Sequence, residues 1–267
     1  MRRSLRVAAM RVARMLAVVL TVALAVGDGG VGLTAAETAA AMTGAIDDPA
    51  AAHADWLVDL PAGGAGGADG AGGVHGRDLA VIISGDGGWA DLDRDMGARL
   101  QARGVAVLGV DALHYFWTRR SAADAARDLA GPIADRMARW HRDRLVLIGF
   151  SFGAAVLPAI AADLPPALLD RAVLGVMLTS NTWANWEIHP TNWLHDTPED
   201  GATDVVAAAR ALARPPLLCV YGLDEADISA CPRIGDRATV LGIPGGHHFD
   251  GDYDRLADLV LAQMDGR

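Results

Sequence analysis

Short apolar runs alternate with longer segments of mixed polarity from residue 77 to the end of the chain. Each run has the length and the continuous apolar character of a strand that is buried on both faces of a parallel sheet. The predicted strands cover residues 79–84, 105–110, 145–149, 173–178, 217–221 and 239–243. The predicted helices cover residues 92–103, 122–141, 152–162, 205–213 and 253–264. This alternation predicts an α/β fold, a three-layer sandwich around a mostly parallel sheet, to which residues 56–60 add a further strand.

The N-terminus has the pattern of a secretory signal peptide. Several arginines precede an apolar segment, and Ala23-Leu24-Ala25 resembles a signal-peptidase site, with a later candidate at 34–36. We therefore predict a signal peptide at residues 1–25, a flexible leader at 26–54 and a single exported domain at 55–267.

The charge of the chain is acidic. It holds 23 Lys and Arg residues against 33 Asp and Glu residues, for a formal net charge of −10. Residues 1–25 contain arginines and no acidic residue, so the exported part is more acidic still. Nucleic-acid binding needs a basic surface, so no nucleic-acid partner is expected.

The chain has two cysteines, Cys219 and Cys231, which lie close together in sequence. In an oxidising compartment we expect them to form a disulfide. The alternative is one buried and one free thiol.

The segment Gly149-Phe150-Ser151-Phe152-Gly153 joins a predicted strand to a predicted helix. In this context a G-x-S-x-G sequence is typical of a nucleophile elbow, a tight turn that holds the serine in a strained conformation with its hydroxyl exposed above the sheet. The same small residues also occur in ordinary turns, so the prediction depends on the strand and the helix around them. Ser151 is the predicted nucleophile of a serine hydrolase with the α/β-hydrolase fold.

A serine nucleophile needs a histidine base, which in an α/β-hydrolase follows the last strand. His247 and His248 both stand there, after residues 239–243. The length of the loop and the following Phe249 favour His248, and His247 is the alternative.

The histidine needs an acid to orient it, and this acid should follow the strand at 217–221. Asp224, Glu225 and Asp227 are the candidates. Counting back from the Cys231-Pro232 pair favours Asp227, whereas counting forward from the end of the strand favours Glu225. We predict Asp227 and keep Glu225 and Asp224 as alternatives.

Two backbone amides should form an oxyanion hole for the tetrahedral intermediate. One belongs to Phe152, the residue after the nucleophile. The other should come from the glycine-rich loop after the first parallel strand, where Asp86 or Gly87 is the predicted donor.

Aromatic and acidic residues beyond these loops are candidates for the walls of a substrate cleft. The predicted substrate-binding residues are Trp89, Asp111, Tyr115, Trp117 and Glu187. Trp183, Trp186 and Trp193 cluster where α/β-hydrolases insert a cap, which predicts a small Trp-rich cap or insert. Packing of an irregular loop explains any single one of these tryptophans equally well.

Several longer motifs resemble one family, the VirJ/AcvB-type bacterial virulence proteins. They are S-G-D-G-G-W at 84–89, V-D-A-L-H-Y-F-W at 110–117, I-G-F-S-F-G-A at 148–154 and P-G-G-H-H-F-D-G-D-Y at 244–253. The resemblance implies a periplasmic α/β-hydrolase that hydrolyses aminoacylated phosphatidylglycerol, notably the lysyl ester, and possible partners in type IV secretion. The AcvB-type members carry an additional N-terminal domain, and the length of this chain favours the short, single-domain form.

Two other functions stay open at the level of sequence. One is a periplasmic binding or assembly factor that uses the hydrolase fold without turnover. The other is a general carboxylesterase or thioesterase. No cofactor is expected, and no metal, because a catalytic triad explains the position of the two histidines better than a metal site does.

Overall fold

The predicted strands form one seven-stranded sheet in the computed structural model of the chain, which describes residues 55–62, 75–189 and 197–266. In chain order the strands are β1 (Leu57–Leu60), β2 (Asp78–Ile83), β3 (Ala106–Val110), β4 (Arg144–Phe150), β5 (Ala172–Leu178), β6 (Trp183–Ala184), β7 (Thr203–Asp204), β8 (Leu217–Gly222) and β9 (Ala238–Ile243). The order across the sheet is β1-β3-β2-β4-β5-β8-β9, while β6 and β7 pair separately as a short antiparallel ribbon. Only β1 runs antiparallel to its neighbour in the large sheet. The predicted, mostly parallel sheet is confirmed.

Helices connect the parallel strands, as the sequence predicts. They are α1 (Asp91–Ala102), α2 (Ala112–Tyr115), α3 (Ala122–Arg139), α4 (Phe152–Asp163), α5 (Pro166–Leu169), α6 (Val205–Ala211), α7 (Cys231–Ile234) and α8 (Tyr253–Asp265). The longest, α3, begins at a capping box in which the Ser121 hydroxyl accepts a hydrogen bond from the Asp124 amide and the Asp124 carboxylate accepts one from the Ser121 amide.

The sheet is buried on both faces, which explains the continuous apolar character of its strands. Along β2, Leu79, Val81 and Ile83 belong to one hydrophobic cluster, and Ala80 and Ile82 belong to another. Buried residues of α3, α4 and α6 complete the first cluster, and those of α1 and α8 complete the second. The protein is therefore the predicted three-layer sandwich, and its core consists of two hydrophobic clusters, one on each face of the β-sheet.

Residues 55–188 and 198–267 group into one compact unit. The second unit comprises residues 1–54 and 189–197, of which only His189 and Thr197 are described. The predicted signal peptide and leader, residues 1–25 and 26–54, lie outside the described residues. In the described part of the chain, no helix is both long and apolar enough to cross a membrane.

Cys219 of β8 and Cys231, the first residue of α7, form the predicted disulfide, with their Cα atoms 5.4 Å apart. Both cysteines are fully buried. The bond closes a loop that contains all three candidate acids. A disulfide is consistent with an exported protein.

Candidate active site

Ser151 occupies a sharp turn between β4 and α4. Its backbone has φ 54° and ψ −113°, a conformation that is strained for a residue with a side chain. The flanking glycines allow this turn: a Cβ atom at Gly149 would lie 2.4 Å from the Gly153 carbonyl oxygen, and one at Gly153 would lie 2.1 Å from that of Ile83. No other residue type fits at either position, so the G-x-S-x-G segment has the geometry of a nucleophile elbow.

Neighbouring strands hold this turn in place through its backbone. The amide of Ser151 donates to the carbonyl of Leu178 at the end of β5, over 2.9 Å. The amide of Gly153 donates to the carbonyl of Ser84 at the end of β2, over 3.1 Å. The serine is thus fixed at the carboxyl ends of three adjacent parallel strands, where the loops of an α/β sheet bind their ligands.

A chain of hydrogen bonds connects Ser151 to a histidine and a carboxylate. The Oγ atom of Ser151 lies 2.8 Å from Nε2 of His247, and Nδ1 of His247 lies 3.0 Å from Oε2 of Glu225. The His247 and Glu225 side chains are partly buried, with 32% and 22% of their surface exposed. In such an arrangement the imidazole can accept the serine proton while the carboxylate fixes its tautomer and stabilises the imidazolium that forms.

The structure therefore places His247, the alternative, against Ser151, and not the predicted His248. The side chain of His248 is exposed, and its ring lies 5.5 Å from the rings of both Phe150 and His247. The reason is the tight turn after β9, in which the Phe249 amide donates to the Gly246 carbonyl and the Phe249 side chain is buried. This anchor leaves His247 on the inner side of the turn and His248 on the outer side.

The acid also differs from the predicted one. Glu225 ends the 3-10 turn Leu223–Glu225, which begins directly after β8, and this short path brings its carboxylate to His247. Asp227 is exposed two residues further on, where its backbone carbonyl accepts a hydrogen bond from Arg233 over 2.5 Å. Asp224 is exposed as well, and its amide donates to the Gly245 carbonyl over 3.1 Å.

The glycine-rich loop after β2 lies beside the serine. A Cβ atom at Gly85 would be 3.5 Å from the Cβ atom of Ser151, so the backbone of this loop passes next to the hydroxyl. Asp86 is half-buried and Gly87 is exposed with open space around it. Phe152 follows Ser151 as the first residue of α4. The role of these three residues as oxyanion-hole donors stays a prediction.

Three of the predicted substrate-binding residues have a structural role. The ring of Trp89 lies directly over Gly109 of β3. Tyr115 is buried, and its hydroxyl donates to Asp128 over 2.8 Å. Asp111 caps α2 by accepting a hydrogen bond from the His114 amide. These contacts give the three residues a structural role, and their role in substrate binding stays a prediction.

The two remaining candidates lie at the surface. Trp117 is 51% exposed, and Glu187 lies within 3.9 Å of Arg119. The predicted Trp-rich insert corresponds to the segment between β5 and α6, which contains the β6–β7 ribbon. Trp186 is buried there and donates from Nε1 to the Thr203 hydroxyl over 2.9 Å. Trp193 lies outside the described residues.

The sequence did not single out two charged residues near this site. Asp93, in the first turn of α1, is 1% exposed and accepts a hydrogen bond from the Ala90 amide. Burial, with a contribution from the negative charge of Asp111, raises the pKa of Asp93 to about 7. Arg120 lines a cleft beside Trp186. The burial of Asp93 and of the Arg120 Nε atom arises from tertiary contacts. The only local signals are an aspartate within the S-G-D-G-G-W-x-x-L-D segment and a pair of adjacent arginines.

No group of three or more His, Cys, Asp or Glu side chains is arranged to hold a metal ion within residues 55–62, 75–189 and 197–266.

The fold and the elbow define an α/β-hydrolase, and solved structures agree with this architecture. The esterase Pf2001 of Pyrococcus furiosus is 14% identical, with a TM-score of 0.52, over 71% of this chain and 81% of that chain. A putative dienelactone hydrolase from Klebsiella pneumoniae is 17% identical, with a TM-score of 0.52, over 78% and 95% of the two chains. An esterase domain from Rhodothermus marinus is 16% identical, with a TM-score of 0.50, over 77% and 89%. At these identities the likeness shows the fold.

The family is defined by sequence. Residues 77–267 match the family described as bacterial virulence protein (VirJ), and because the match covers most of the chain, this protein belongs to that family. The resemblance seen in the sequence motifs is thereby confirmed. No protein with a curated function matches the chain.

Proposed function

We propose that this protein is a periplasmic serine esterase that hydrolyses the aminoacyl ester of aminoacyl-phosphatidylglycerol, with the lysyl ester as the main substrate. The observation that carries the esterase activity is the Ser151–His247–Glu225 hydrogen-bond chain on a strained elbow. The lipid substrate is supported by the resemblance to the VirJ/AcvB-type proteins and by an acidic chain that suits a cationic acyl group.

The reaction proceeds in two steps. In the first, Ser151 Oγ attacks the aminoacyl carbonyl carbon while His247 Nε2 accepts the hydroxyl proton, and the amides of Phe152 and of Asp86 or Gly87 stabilise the resulting oxyanion. His247 then donates this proton to the departing glycerol oxygen, which leaves an aminoacyl ester on Ser151. In the second step a water molecule gives its proton to His247 and attacks this ester, which releases the free amino acid and restores the serine.

The substrate ammonium group needs a carboxylate near the acyl site. Of the three candidates, Asp111 caps α2 and Glu187 is close to Arg119, whereas Asp86 stands on the loop beside Ser151. Asp86 therefore pairs with the ammonium group. Replacing Asp86 by Asn should reduce kcat/KM for a lysyl ester more than for a neutral ester, and an equal loss on both would argue against this role.

The deciding experiment measures release of free lysine from lysyl-phosphatidylglycerol in vesicles by the exported domain, with Ser151→Ala as the control. Release that disappears in the variant would support both the nucleophile and the substrate. Serine-dependent hydrolysis of a short p-nitrophenyl ester without lysine release would leave a general carboxylesterase or thioesterase. Inactivity on both would favour a non-catalytic binding factor, with type IV secretion components as candidate partners.

A further inference from the structure

A cleft of about 430 Å³ opens beside the predicted cap. Arg119, Arg120 and Ser121, before α3, form one side, and Trp186, Gly201 and Thr203, around the β6–β7 ribbon, form another. Two adjacent arginines in a cleft are unusual in a chain with a formal net charge of −10. Asp124 lines the cleft as well, and its carboxylate accepts hydrogen bonds from Ser121 and Arg127.

The two arginines differ in their partners. Arg119 donates to the Asp200 carbonyl over 3.0 Å and lies 3.6 Å from Glu199. Glu187 lies 3.9 Å from the same guanidinium. The charge of Arg119 is thus balanced by the protein itself, and its role is to hold the two ends of the segment that contains the insert.

The charge of Arg120 is not balanced in this way by the described residues. Its guanidinium lies 5.2 Å from the centre of the Tyr115 ring, and its buried Nε atom has no hydrogen-bond partner in the described part of the chain. Among the described residues, no carboxylate forms an ion pair with it. A buried donor without a partner costs free energy, and the cost is greater for a charged group. The Nε atom is too buried for a ligand in the cleft to reach, so an external acceptor would contact the part of Arg120 that lines the cleft.

Thr203 offers a second donor in the same cleft. Its Oγ1 accepts the hydrogen bond from Trp186 Nε1, which fixes the position of the hydroxyl. The hydroxyl hydrogen can then be donated to an oxygen atom in the cleft. Ser121 is less suitable, because its hydroxyl donates to Asp124 over 2.7 Å.

Aromatic contacts link the cleft to the residue that follows the nucleophile. The ring of Phe116 lies 5.0 Å from the ring of Phe152, the residue after Ser151, and 6.2 Å from the ring of Trp186. Two aromatic contacts therefore connect the elbow to the wall of the cleft. In aminoacyl-phosphatidylglycerol the ester and the phosphate are separated only by a glycerol unit, so a site that binds both must hold them within the length of one headgroup.

We propose that the Arg120 cleft binds the phosphodiester of the phospholipid headgroup. Arg120 donates to the phosphate oxygens with its planar guanidinium, which suits bidentate recognition of phosphate, and Thr203 donates from its hydroxyl. This subsite rests on the proposed function and explains how the enzyme selects an ester that is attached to a phospholipid. It binds an anion at a place separate from the carboxylate that holds the ammonium group.

The first test compares kcat/KM for lysyl-phosphatidylglycerol and for a p-nitrophenyl ester that lacks phosphate. Arg120→Gln should reduce hydrolysis of the lipid by about ten- to a hundredfold, the usual effect of losing a charged hydrogen bond, and leave the p-nitrophenyl ester within about twofold. Arg120→Lys keeps the charge but loses the fork, so it should recover only part of the loss. Arg139→Gln removes an exposed arginine at the other end of α3 and should change neither substrate.

The outcomes separate the subsite from the proposed function. Equal losses on both substrates, or no loss on either, would overturn the subsite. A second measurement follows thermal stabilisation by inorganic phosphate and by glycerol phosphate, which distinguishes a free phosphate from a headgroup as the ligand. If the wild-type protein does not cleave the lipid but binds either anion, and Arg120→Gln abolishes this binding, the substrate is wrong and the anion site stands. If the wild-type protein neither cleaves the lipid nor binds either anion, both the proposed function and the subsite are overturned.

Discussion

A Cβ atom at Gly222 would lie 2.4 Å from the carbonyl oxygen of Gly246, so the end of β8 and the turn after β9 meet backbone to backbone. The hydrogen bond from the Asp224 amide to the Gly245 carbonyl reinforces this contact. The two loops that carry the acid and the histidine are therefore fixed to each other before either side chain acts. This contact brings Glu225 and His247 together.

The first prediction separates the two adjacent histidines. His247→Ala should lower kcat for a p-nitrophenyl ester by about 10⁴-fold, because the serine then has no base. His248→Ala should retain activity within about threefold, since the ring of His248 is exposed and it is His247 that lies 2.8 Å from Ser151 Oγ. Steady-state kinetics on both variants, with circular dichroism to check folding, measure the difference. A larger loss in His248→Ala would refute the assignment.

The second prediction concerns the acid. Glu225→Gln keeps the shape of the side chain but removes the charge that stabilises the imidazolium, so kcat should fall by about 10²- to 10⁴-fold. Asp227→Asn makes the corresponding change at an exposed position and should leave kcat nearly unchanged. If Asp227→Asn were the more damaging of the two, Glu225 would not be the acid of the triad.

Much of the fold could be predicted from the sequence, because strands buried on both faces have a local signature. The sequence predicts a strand at residues 173–178, and β5 covers Ala172–Leu178. The serine could be predicted for the same reason, since the glycines beside it reflect close backbone contacts that only glycine permits.

The histidine and the acid could not be chosen by counting residues. Which of two neighbours faces the serine depends on the turn geometry after β9, where Phe249 has a φ of 51° and a buried side chain. The structural role of a predicted substrate-binding residue is hidden from the sequence for a related reason. The hydroxyl of Tyr115 is bound by Asp128, on a different helix, and no local pattern shows that this partner is there.

The third prediction concerns the disulfide, which closes a short loop around Glu225. Reduction should lower the free energy of unfolding by about 3 kcal/mol or slightly less, because the unfolded chain gains freedom. Urea denaturation with and without dithiothreitol measures this change. The double variant Cys219→Ala, Cys231→Ala controls for the reagent, because its midpoint should not respond to dithiothreitol. An unchanged midpoint in the wild-type protein would show that the bond does not stabilise the fold.

The last prediction concerns the pH dependence of stability that arises from Asp93. Its pKa is raised from 3.8 to about 7 in the folded protein, mainly by burial, so the folded state holds this proton more tightly than the unfolded state does. The stability that Asp93 contributes is therefore fully present below about pH 4. It falls by at most about 4 kcal/mol as the pH rises from about 4 to about 7, and it stays low at higher pH. Asp93→Asn removes this loss, so its free energy of unfolding relative to wild type should increase between pH 5 and pH 8 in urea titrations.

Asp91→Asn, at an exposed position in the same helical turn, should show a constant difference. A constant difference for Asp93→Asn as well would mean that the buried carboxyl does not titrate in this range.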